Sequence, residues 1–197
     1  MDDAAQRPIG GVRGLDEGRE LISRVGVDDH LGGHLAMLLG VTGKGTLEGD
    51  VGGLLEHSSG VQGVVNFFGP ADFAAFGQTN RSYGARYQRN RELFDSASPT
   101  HWVDAGDPPL LSLHGTADRL VPVAQSRRIS GEYRKHGLAS WLHVVPGAGH
   151  GGRWMGDATR GPLVRAFVAW QLAPTEPQLK ASFVAAFERA QRAVGVK

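Results

Sequence analysis

Two residues in this chain have the type, order and setting to move a proton. One is Asp118, in His114-Gly-Thr-Ala-Asp118-Arg-Leu-Val-Pro122; the other is His150, in Pro146-Gly-Ala-Gly-His150-Gly-Gly152. An imidazole accepts a proton near neutral pH, and a carboxylate can hold its tautomer and stabilise its positive form. Glycines on both sides of His150 let its loop bend toward a cleft. Taken singly, Asp118 reads as a turn-capping carboxylate and His150 as a surface loop residue. Together, acid before base and each after its own apolar run, they favour a general acid–base role.

A second group is Asp28-Asp29-His30-Leu31-Gly32-Gly33-His34. His30 and His34 are four apart, which on a helix places both imidazoles on one face, as in H-E-x-x-H metal sites. The Glu is absent and no third ligand is indicated, so no metal is expected, and packing or a local hydrogen bond is the role expected of His34. His30 as a covalent nucleophile is set aside as well.

The elements that would position these residues alternate. Arg24–Val27 is a short β-prone run, followed after a turn by His34–Leu39, "HLAMLL", a helix-prone stretch that Gly40 can end. Val61–Phe68, closed by Gly69-Pro70, reads as a buried strand; Leu110–Leu113, between Pro108-Pro109 and Gly115, is the next, and Trp141–Val145 the last. Helices are expected at Val123–His136, at Gly161–Leu172 and at Thr175–Val194, where Thr175 and Gln178 have capping-box spacing. Strands alternating with helices predict an α/β fold with a mostly parallel sheet of about four strands and an extra C-terminal helix. In such sheets sites lie at the carboxyl ends of the strands, where Asp118 and His150 fall.

Composition removes several alternatives. The 197 residues, 41% hydrophobic, suit a single domain over 1–197, with a poorly defined segment at 1–23, a cap-like excursion at 71–108 holding at most one short polar helix, and an amphipathic helix at 175–197. The formal charge is +1, so no global field selects nucleic acid or an anionic membrane. Arg81, Arg86, Arg89 and Arg91, interleaved with Tyr83 and Tyr87, are accordingly read as a solvated cap segment rather than a nucleic-acid surface. There is no cysteine, hence no disulfide or thiolate chemistry. The acidic N-terminus lacks the pattern of a signal peptide and no apolar run could span a bilayer, giving the expectation of a soluble, cytoplasmic protein with no cofactor and no membrane partner.

Several segments in register carry a resemblance: "HLGGHLAMLLGVTG", "LEGDVGG", "SSGVQGVVNFFGPADF", "ASPTHWV", "DPPLLSLHGTADRLVPVAQSRRI" and "LHVVPGAGHGG". Over roughly residues 24 to 172 the chain resembles an esterase or lipase of the α/β-hydrolase superfamily, in the group similar to feruloyl and acetyl-xylan esterases. The resemblance implies a serine carboxyl-ester hydrolase in which Asp118 and His150 are the triad acid and base, acting on a small-molecule ester.

The same resemblance exposes a gap. The family places its serine in a Gly-His-Ser-Ala-Gly-Gly-His type of elbow, an instance of G-x-S-x-G. Matching both flanks leaves this chain one residue short, with Asp29, His30, Leu31 and Gly32 as a degenerate elbow that offers no hydroxyl, and no other G-x-S-x-G occurs. Asp28 and Asp29 also bring negative charge to a place where acyl transfer develops it. Upstream, the family's strands and its oxyanion loop have no counterpart in the 24 residues before Val25. The expectation is therefore a truncated α/β-hydrolase fold with an exposed sheet edge open to self-association. Two functions follow from this sequence: an ester hydrolase by family, or a non-catalytic pseudohydrolase that binds a small ligand or a protein.

Overall fold

The computed structural model describes residues 30–43, 57–79 and 88–195. Within them the order is α1 (His30–Val41), β1 (Val64–Phe67), α2 (Phe73–Thr79), α3 (Arg91–Ser96), α4 (Pro99–Trp102), β2 (Leu110–Gly115), α5 (Ala124–Lys135), β3 (Ser140–Val145), a 3₁₀ turn at Arg153–Gly156, α6 (Arg160–Leu172) and α7 (Pro177–Ala193). The expected strand at Arg24–Val27, the segment 1–23, Asp28, Asp29, and the Arg81 to Tyr87 part of the basic stretch lie outside the described residues.

The sheet is parallel with order β1-β2-β3; Val64 pairs with Leu110 and Leu110 with Ser140. Each crossover is long enough to hold a helix, which is what parallel pairing demands. β2 is central and all six of its residues are buried, as the near-continuous apolar run of a doubly covered strand requires. Alternate residues of the strands divide between two cores. Val64 and Leu110 pack with Met37 and Val41 of α1 and with Ile129 and Tyr133 of α5. Leu111 and Leu113 pack on the opposite face with Leu163, Phe167 and Trp170 of α6 and Phe183, Ala186 and Ala190 of α7. The result is helices on both faces of a three-stranded parallel sheet.

Three local expectations are corrected. First, α1 does not end at Gly40 but runs to Val41, and it starts at His30, so Gly32 and Gly33 lie inside the helix rather than in a turn before it. Both Gly33 and Gly40 are sites of close approach: a Cβ at Gly33 would stand 2.6 Å from Asn66 Oδ1 and 2.7 Å from the Phe67 carbonyl, and one at Gly40 would strike the Val64 side chain. Tertiary contact, not chain reversal, explains these glycines. Second, α7 starts at Pro177 behind Glu176, without a side-chain cap. Proline favours the first helical turn because it has no N–H to satisfy, so the Thr175–Gln178 capping box does not form. Third, the stretch expected to be one polar excursion contributes three short helices in its described parts and buries Ala71, Ala75, Phe76 and Val103. No helix among the described residues is long and apolar enough to cross a membrane.

Candidate active site

The site forms where the chain leaves β2 and β3. The two exits are laced together: Thr116 N–H donates to the Val145 carbonyl at 3.0 Å, Ala117 N–H to the Ala148 carbonyl at 2.9 Å, and Gly147 N–H to Thr116 Oγ1 at 2.9 Å. Gly115 permits this approach, since any Cβ there would overlap the Ala148 carbonyl. Gly147, at φ +72°, reverses the second loop without the strain a side chain would bring.

Asp118 therefore arrives beside His150. Its Oδ1 accepts the backbone N–H groups of Leu120 and Val121, both at 2.9 Å. Its Oδ2 accepts from His150 Nδ1 at 2.7 Å, with the carboxylate side chain fully buried and the imidazole 14% exposed. The turn-capping role and the imidazole-orienting role, rivals in the sequence, coexist because they use different oxygens. A carboxylate only accepts, so Nδ1 carries the ring hydrogen and Nε2 is the basic nitrogen of the neutral ring. Phe68 leans on the imidazole with ring centroids 4.4 Å apart and also contacts His114 and Trp154. Its φ of +45° is a left-handed conformation at a non-glycine residue, of the kind that typically costs about 1–3 kcal/mol and gathers at functional sites.

The start of α1 packs at the end of β1, whose following residue Phe68 touches His150. His30 and Leu31 open α1 and Gly32 follows within its first turn, and Gly33 seats that turn against Asn66, Phe67 and Gly69 at the end of β1. Asp29 and the side chains of His30 and Leu31 lie outside the described residues. His34 donates from Nδ1 to the Pro70 carbonyl at 3.0 Å and meets Phe73 edge-on; burial pulls its pKa below the usual imidazole range, only partly offset by that bond. Among the described residues no cluster of three His, Cys, Asp or Glu side chains gathers to hold a metal ion.

Sequence reasoning passed over the polar side chains under the pair. His114, Ser112 and Asn66 point from the strands into one layer and Ser126 from α5, all essentially buried. His114 is held below the usual range by burial, against the opposing pull of the Val121 carbonyl and Asp118. Their only trace in the sequence is that Ser112 and His114 interrupt an otherwise apolar run.

The parallel sheet flanked by helices, together with the likeness to solved esterases, places the chain in the α/β-hydrolase class and its esterase group. The chain belongs to the BD-FAE family, whose model matches residues 25–133. Two esterases of Mycobacterium tuberculosis share the likeness: LipC is 30% identical over 148 residues, 68% of this chain and 36% of LipC, and LipQ is 42% identical over 67 residues, 34% of this chain and 16% of LipQ. A solved truncated form of a carbohydrate esterase from gut microbiota superposes with a TM-score of 0.62 at 30% identity, covering 71% of this chain and 56% of that one. The matched region thus spans about a third of LipC and just over half of the carbohydrate esterase chain.

Proposed function

We propose that this chain is a carboxyl-ester hydrolase by descent that keeps the acid and the base, Asp118 and His150, and lacks the nucleophile, so that it binds a small ester-like ligand with weak or no turnover. The observation that carries the acid–base half is the 2.7 Å bond from His150 Nδ1 to an Asp118 carboxylate whose other oxygen is already fixed by two backbone donors. In this reading Nε2 would take the proton of an attacking hydroxyl and return it to the leaving alcohol, while Asp118 stabilises the imidazolium. The half that fails is the elbow: Asp28 to His34 contains no hydroxyl, and loss of a triad nucleophile typically costs about 10⁶ in kcat. The family match and the two mycobacterial esterases support an ester as the ligand.

The test pairs a fluorophosphonate probe with p-nitrophenyl acetate hydrolysis. No stoichiometric labelling and no turnover above buffer are expected. Labelling, together with turnover that disappears in His150→Ala, would refute the pseudohydrolase reading and establish an active enzyme.

A further inference from the structure

We infer that His114 is a positioning residue for the Asp118–His150 pair, the last member of a buried hydrogen-bond chain that starts beside the first turn of α1. This rests on reading Asp118 and His150 as acid and base, but its test reads ring protonation rather than turnover.

The chain begins at Gly69, whose N–H donates to Asn66 Oδ1 at 2.9 Å and so fixes which end of that amide is oxygen. Asn66 Nδ2 then faces Ser112 Oγ at 3.2 Å and Ser126 Oγ at 3.4 Å. At the far end, His114 Nε2 stands 2.8 Å from the Val121 carbonyl. A carbonyl cannot donate, so Nε2 carries the hydrogen of His114 and Nδ1 offers a lone pair. Ser126 fills that place: its hydroxyl, 2.7 Å from His114 Nδ1, must donate there while its oxygen receives Asn66. Backbone groups at both ends thus set every proton between them, and the donors all run from Asn66 toward Asp118.

The last contact reaches the acid. His114 Nε2 lies 3.4 Å from Asp118 Oδ2, the oxygen that accepts from His150, so the Nε2–H that bonds the Val121 carbonyl also stands within close electrostatic range of the carboxylate. The backbone donors hold Oδ1 but leave the carboxylate plane able to turn about it, because the terminal torsion of Asp is soft. The hydrogen bond from His150 and the nearby N–H dipole of His114, both at Oδ2, limit that freedom. Burial keeps His114 neutral at pH 7, so it brings a donor without adding charge. Asn66, where the chain starts, is also the residue against which Gly33 seats α1, so the acid is aligned by the same residues that seat the elbow.

The test is ¹⁵N NMR of imidazole tautomers in the intact chain at neutral pH. Wild type is expected to show His114 with hydrogen on Nε2 and His150 with hydrogen on Nδ1. His114→Phe, which fills the volume without a donor, is expected to turn His150 into a mixture of both tautomers. His114→Gln, whose amide can place an N–H near the same point, is expected to restore a single one. A His150 tautomer unchanged in His114→Phe would overturn the inference. So would wild-type His114 with its hydrogen on Nδ1, a result that needs no variant to fold. If wild-type His150 itself carries hydrogen on Nε2, the acid–base reading beneath the inference falls with it.

Discussion

Acidification from pH 7 to about 5 should strip stability from this chain before its carboxylates begin to titrate. His34, His114 and His143 are 6%, 0% and 0% exposed, and burial lowers the pKa of each from 6.5. His143 is the clearest case. Its Nε2 accepts from Arg160 Nε at 3.2 Å while its Nδ1 faces Gln191 Oε1 at 3.0 Å, so a second ring proton would meet the guanidinium head-on. The unfolded chain takes up protons as pH drops through 6.5 while the folded chain does not, hence the unfolded state gains. The contribution of neutral burial is complete above that value and is lost as pH falls from it toward the lowered folded values. Each group adds a slope of about 1.4 kcal/mol per pH unit where the two states differ by one proton, and three together about 4 kcal/mol per unit. Between pH 6.5 and 5 the three groups together remove at most about 6 kcal/mol, a large share of a total stability on the order of 5–15 kcal/mol. Urea unfolding followed by tryptophan fluorescence at half-unit steps from about pH 8 to 5 measures the slope, and His143→Gln should reduce it by about one third. A slope under about 1.4 kcal/mol per unit below pH 6.5 would refute the argument, because it would mean that at least two of the three rings accept protons in place.

Two further perturbations test how the site and its support are built. Gly115→Ala should cost about 1–3 kcal/mol in urea unfolding, the usual range for forcing atoms into packed structure. Its Cβ must displace the Ala148 carbonyl that ties the two site loops. Gly149→Ala, with open space around it, serves as the control and should stay within about 0.5 kcal/mol; equal effects would break the argument. Phe183→Ala should cost about 3–5 kcal/mol, since the ring is fully buried, stacks on Trp170 at 5.4 Å and meets Trp141 edge-on at 4.9 Å. A loss below about 1 kcal/mol would mean that α7 is not part of the core.

Much of the framework was legible because apolar runs bounded by glycine and proline are strong local signals. The run "VQGVVNFF" contains β1, "LLSL" and "WLHVV" lie within β2 and β3, and the loops after the last two carry the hydrogen-bonded Asp118 and His150. What failed to show in the sequence depends on contacts between distant segments. Gly32 and Gly33 have the composition of a turn, yet both lie in α1, and Gly33 is glycine because a side chain there would hit Asn66 and the Phe67 carbonyl. Thr175 has a good capping spacing, yet Pro177 claims the first turn. Ser112 and His114 look like flaws in an apolar strand, and only the arrival of Asn66 from β1, Ser126 from α5 and Val121 from the loop gives them partners. Periodicity tells which face is buried, not which polar atoms will meet there.

Asp118 carries two tasks on one carboxylate. Half of its carboxylate closes the Leu120–Val121 turn, a local task that any folded copy of this loop performs whether or not an ester is ever cleaved. The loop lacing at Gly115, Thr116 and Ala148 brings His150 to the other half for equally structural reasons. The pairing of Asp118 with His150 is therefore an output of the fold. The proposal of weak or no turnover rests on residues 28–34, whose sequence holds no hydroxyl, and not on the pair.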